Sequence, residues 1–109
     1  MRIWDIEPTR LCRNHLLGEH RELHAIWSIL TKNKKGYSRH PETLRWKGKL
    51  KALYLRHGLL VKELKNRSYQ HKSNLVKSLA VGCGRQNKFV NSYKEQLIIL
   101  RRKNCGCKI

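Results

Sequence analysis

The chain has 109 residues, with 25 Lys and Arg against 7 Asp and Glu, a formal net charge of +18. A length near ~100–150 residues suits one domain, and so large a charge repels itself in the folded state, so the expected partner is a polyanion, nucleic acid above all. No apolar run approaches the ~20 residues that span a bilayer. The opening Met1-Arg2-Ile3-Trp4-Asp5 lacks the apolar core of a signal peptide, so no membrane role and a cytoplasmic location are expected.

Three helical stretches separated by polar loops predict an all-α, single-domain compact bundle over residues 1–109. The first begins after Glu7-Pro8-Thr9, with Thr9 able to cap, and runs to about residue 30. Cys12, Leu16, Leu23, Trp27 and Leu30 recur on one stripe, the core face. Lys32-Asn33-Lys34-Lys35-Gly36 supplies the cations and glycine that end helices. The loop Gly36-Tyr37-Ser38-Arg39-His40 leads to Pro41, a favourable first helical position. Tyr37 is a candidate for base stacking, and Arg39 and His40 for the phosphate backbone. The second helix is expected from Pro41 to about residue 67, burying Trp46, Leu50, Leu53, His57, Leu60 and Leu64, with Gly48 and Gly58 weakening it. The third is expected over 88–103, with Phe89, Tyr93, Leu97 and Leu100 inward. Trp27 and Trp46 lie on apolar stripes and belong in the core, while Trp4 stands outside any stripe.

The four cysteines, Cys12, Cys83, Cys105 and Cys107, form no pair of CxxC motifs. Cys83, Cys105, Cys107 and a histidine are one conceivable zinc set. Without a second ligand pair, free cytosolic thiols and no metal are the expectation.

On the first helix His15, Gly18 and Glu22 lie within ~60° of one another beside the apolar stripe. Arg21 projects from an adjacent face, placed for a phosphate. Glycine inside a helix costs stability, which suggests close approach of another backbone at Gly18. Glu22 is one of few carboxylates in a strongly cationic chain, and an acid repels DNA. General acid–base work on a sugar or base would account for it.

The run Asn14-His15-Leu16-Leu17-Gly18-Glu19-His20-Arg21-Glu22-Leu23 resembles the pyrimidine-dimer DNA glycosylase/AP lyase family. The likeness runs without a gap from Met1 through Leu23. It continues more weakly around Gly48–Leu53 and Glu63–Arg67, and ends near residue 75. The resemblance implies a monomeric enzyme acting on damaged double-stranded DNA, pyrimidine dimers in particular, without metal or cofactor. In that family an N-terminal α-amine attacks C1′ of the damaged nucleotide and the resulting imine is split by β-elimination. The resemblance makes Met1 the nucleophile, in place of the family's usual threonine, and Glu22 the catalytic carboxylate. It places Arg2, His15 and Arg21 against the DNA, with His24 beside the position of a further family base that is Ala25 here. A nonenzymatic basic module binding DNA or RNA is the alternative reading of the same scaffold.

Overall fold

The computed structural model describes residues 2–71 and 73–108. A 3-10 turn at Pro8–Arg10 precedes helix α1 (Arg13–Lys32), followed by α2 (Pro41–Leu44), α3 (Leu50–Asn66), a second 3-10 turn at Lys77–Leu79 and α4 (Tyr93–Lys103). The architecture is all-α, and no strand occurs among the described residues. α1 packs on α3 through Leu16, Leu23, Ile26 and Trp27 against Leu53, Leu60 and Leu64, and Leu100 of α4 joins the same core. Trp4, Trp27 and Trp46 are all buried.

The expected second helix is two helices. After α2 the chain turns through Gly48, whose φ of +76° is left-handed, and starts again at Leu50. The segment around Gly82 lies across this restart. Gly48 O accepts the Cys83 amide (3.0 Å), while Val81 O and Cys83 O accept the Lys51 and Ala52 amides (2.9 and 3.2 Å). Carbonyls of a distant loop thus satisfy donors that the first turn of a helix leaves free. The third expected helix begins later than position 88, at Tyr93. Ser92 and Glu95 form a reciprocal capping box there, which fixes the boundary. Phe89, ahead of that cap, is exposed rather than inward, and Tyr93 is also exposed. α1 ends at Asn33, which takes the left-handed conformation (φ 51°) expected of a glycine.

Gly82 itself has φ +89°, and a Cβ there would overlap the Gly48 carbonyl oxygen. Gly82→Ala therefore incurs left-handed strain and breaks this junction, for an expected loss of about 1–3 kcal/mol. Gly84→Ala meets only the Lys51 side chain at van der Waals distance. Urea unfolding of the two variants should separate them, Gly84→Ala staying within about 0.5 kcal/mol of the parent.

Candidate active site

The N-terminal segment is extended but pairs with no other strand, so its backbone must find side-chain partners. Three buried side chains accept successive amides: Glu42 takes Ile3 N–H (3.1 Å), Glu19 takes Trp4 N–H (3.0 Å) and Gln96 takes Asp5 N–H (2.8 Å). Two arginines take the carbonyls. Arg45 donates to Ile3 O (2.9 Å) and Arg56 to Ile6 O (2.9 Å). The same arginines hold the acids, Arg45 on Glu42 (2.7 Å) and Asp5 (3.1 Å), and Arg56 on Glu19 through two nitrogens (2.7 and 3.0 Å). Burial pushes the Glu19 carboxyl up, and the Arg56 guanidinium and the Trp4 amide pull it back. Side chains of α1, α2, α3 and α4 thus anchor residues 3–6 in one register.

That register delivers Arg2 to a pocket of about 460 Å³. Arg2 donates to Asn91 (2.9 Å) and lies over the Trp4 ring (4.9 Å to its centre). Trp4, His15, Gly18, Glu22, His40 and Lys103 share the walls. An added Cβ at Gly18 would meet nothing within 4 Å, so no backbone approaches there; the missing side chain leaves the pocket open instead. Met1 lies outside the described residues, one peptide unit beyond Arg2.

Glu22 stands apart from the other acids. Of the seven carboxylates, Asp5, Glu7, Glu19, Glu42 and Glu63 are in ion pairs and Glu95 closes the capping box of α4. Among the described residues Glu22 has neither an ion pair nor a hydrogen bond, yet it is half-buried beside Arg2, Lys103 and His15. An unengaged carboxylate in a cationic pocket is free to meet a ligand's positive charge or proton.

The profile of the pyrimidine dimer DNA glycosylase family matches residues 1–77. The chain belongs to this family. The match takes in the whole anchored N-terminal segment, α1, α2 and α3, while Gln96, Lys103 and the rest of α4 lie beyond it. No characterised protein and no solved structure matches the chain.

Within this family member the residues singled out from the sequence separate into groups. Arg2, His15, Glu22 and His40 meet at the one pocket. His40 also caps α2, its Nδ1 accepting the Glu42 amide (3.1 Å), and helps line a second groove of about 640 Å³ with Lys35, Tyr37, Ser38 and Arg39. Tyr37 is 69% exposed there and, like Arg39, turned to solvent. Arg21 is exposed on α1. His24 points away from the pocket into a cluster with His20, His57 and His71. Desolvation of that cluster, with mutual repulsion, holds His20 and His57 down at about 4. The cysteines group differently from the set conceived from sequence: Cys12 stands with Cys105, Cys107 and His15, and Cys83 is exposed on its own loop.

Glu19, Glu42, Arg45, Arg56 and Gln96 carry the positioning, and sequence reasoning passed over all five. A signal for Glu19 existed. It stands three residues after Leu16 and four before Leu23, on the apolar stripe itself, where a carboxylate survives only with a buried partner.

Proposed function

We propose that this chain is a DNA glycosylase with AP-lyase activity on duplex DNA containing pyrimidine dimers, with the α-amine of Met1 as nucleophile and Glu22 as its carboxylate. The observation that carries the reading is the anchoring of residues 3–6, which ends with Arg2 at the pocket that holds Glu22, the one acid without a partner among the described residues. An α-amine suits the task, because its ordinary pKa of ~7.7–8.0 leaves a neutral fraction near pH 7 while lysine at ~10.4 is almost wholly protonated.

The amine lone pair forms a bond to C1′ as the glycosidic C1′–N bond breaks, and the base departs with that electron pair and a proton. The attacking nitrogen loses a proton, and its lone pair then forms the C=N bond as the C1′–O4′ bond breaks. The electrons of that bond go to O4′, which takes up a proton to become a hydroxyl, giving a protonated imine. Removal of a C2′ proton then expels the 3′-phosphate, and water hydrolyses the product imine to free the amine. Glu22 stabilises the cationic sugar and relays the protons. Arg2, Arg21 and the Tyr37–Arg39–His40 groove bind the flanking strand, largely through phosphates. A lesion that already disrupts stacking lowers the few kcal/mol needed to expose C1′. The protein acts as a monomer in this scheme.

The test is borohydride trapping. With a duplex carrying one abasic site, reduction of the imine should leave a covalent protein–DNA adduct, and a dimer-containing duplex should give the same product after base release. Absence of any adduct on the abasic duplex, by a folded protein that binds it, would overturn the lyase reading.

A further inference from the structure

Cys12 lies at the N-cap of α1 and His15 one turn on, while Cys105 and Cys107 follow the end of α4. Cys12 Sγ is 3.0 Å from His15 Nδ1, Cys107 Sγ is 3.5 Å from the same nitrogen, and Cys105 Sγ is 3.4 Å from Cys107 Sγ. All four candidate ligand atoms fall within 4.8 Å of one another. A tetrahedral zinc ion, with Zn–S of ~2.3 Å and Zn–N of ~2.0–2.1 Å, spaces neighbouring ligand atoms ~3.3–3.8 Å apart. The sulfurs are too far apart for a disulfide, whose S–S bond is ~2.05 Å. Gly106, with φ +92°, makes the turn between the two cysteines, and the Cys12 amide donates to Cys107 Sγ (3.0 Å), a contact that suits a thiolate.

Charge points the same way. The segment holding Cys105 and Cys107 carries Arg101, Arg102, Lys103 and Lys108, and it docks beside Arg10 and Arg13, with Lys108 N–H on Arg10 O (2.7 Å). Cation would press on cation. Three thiolates and one divalent ion would place a net negative centre between the two segments.

We propose that Cys12, His15, Cys105 and Cys107 bind a structural zinc ion that fastens the chain's last residues to the start of α1. Two of these ligands lie beyond residue 77, outside the family match. Metal on Nδ1 leaves the proton of His15 on Nε2, so a wall of the Glu22 pocket becomes a fixed N–H donor.

A second site of the same class rests on a separate observation. The Nε2 atoms of His20, His24, His57 and His71 converge, with His20–His24 at 3.2 Å, His24–His57 at 3.1 Å and His20–His71 at 3.0 Å. Each Nε2 offers a single in-plane proton or lone pair. His20 and His24 each face two neighbours, so hydrogen bonds account for at most two of the three contacts and leave the close approach of His20 to His24 without one. One zinc ion at the centre would accept all four lone pairs, joining α1, α3 and the loop at His71.

The experiment counts zinc by mass spectrometry in the untagged full-length protein, purified under reducing conditions without chelator. About two equivalents per chain are expected. The double variant Cys105→Ser/Cys107→Ser should drop to one, His57→Asn/His71→Asn should drop to the other one, and Cys83→Ser should keep both. Cobalt(II) added to zinc-stripped parent protein provides a reading that needs no variant to fold. A thiolate-to-cobalt charge-transfer band supports the cysteine site, and tetrahedral cobalt absorption still rising through a second equivalent supports the histidine site. Less than half an equivalent of zinc in the folded protein, with no cobalt spectrum, overturns both. An intact mass showing the two hydrogens of Cys105 and Cys107 lost to a disulfide in the reduced preparation overturns the first. A cobalt titration complete at one thiolate-ligated equivalent overturns the second.

Discussion

Glu22→Gln should slow base release and strand cleavage by about 10²–10⁴-fold, the range that a positioned acid–base group contributes. The amide keeps the shape of the side chain but can neither exchange a proton nor offset a cationic sugar. Because Glu22 engages no partner among the described residues, its loss should change folding stability by no more than about 0.5 kcal/mol. Binding to damaged duplex should hold or tighten, since a charge repelled by phosphate is gone. Single-turnover kinetics beside a denaturation curve reads both effects at once. Parental cleavage rates in Glu22→Gln would remove the carboxylate from the mechanism.

Arg56→Met is expected to do the reverse, acting first on the fold. Glu19 is 2% exposed, and Arg56 supplies two of the three hydrogen bonds it makes among the described residues. Removing one partner of a buried pair typically costs about 3–5 kcal/mol, because the other charge is left without compensation. That is a large part of the ~5–15 kcal/mol that holds a domain together. Arg56 also donates to Ile6 O, so the N-terminal segment loses an anchor and cleavage should fall with stability. The double variant Glu19→Leu/Arg56→Met removes both charges and should recover much of the unfolding midpoint in urea. If Arg56→Met alone unfolds like the parent, the ion pair does not hold the segment.

Much of the helical frame was legible because its signals are local. The Leu16–Leu23–Trp27 stripe of α1 and the Leu53–Leu60–Leu64 stripe of α3 both face the core as their spacing predicts. The break between α2 and α3 was not legible, since Gly48 reads as a weak helical residue until the Gly82 segment, far along the chain, is seen to cap α3. The late start of α4 was partly legible. Ser92 and Glu95 are spaced as a capping box, but the apolar Phe89 and Val90 before them invite an earlier start. At the pocket, spacing placed His15, Gly18 and Glu22 on one strip, and they do line one wall. The anchors on residues 3–6 come from three other helices as well, Glu42, Arg56 and Gln96, a juxtaposition that no periodicity encodes. His24 illustrates the same limit. Its spacing from His20 is visible along α1, but its partners His57 and His71 are brought in by the fold.

The position of the covalent bond distinguishes the Met1 α-amine from every lysine as nucleophile. Lys103 lines the same pocket as Glu22, so its amine is the rival nucleophile to exclude. The measurement is peptide mapping by mass spectrometry of the borohydride-trapped adduct with an abasic duplex. The expected result is attachment at the Met1 α-amine, with trapping abolished when that amine is acetylated and retained in Lys103→Met. Attachment at Lys103 or another lysine, persisting after the N-terminus is blocked, would contradict the proposed mechanism.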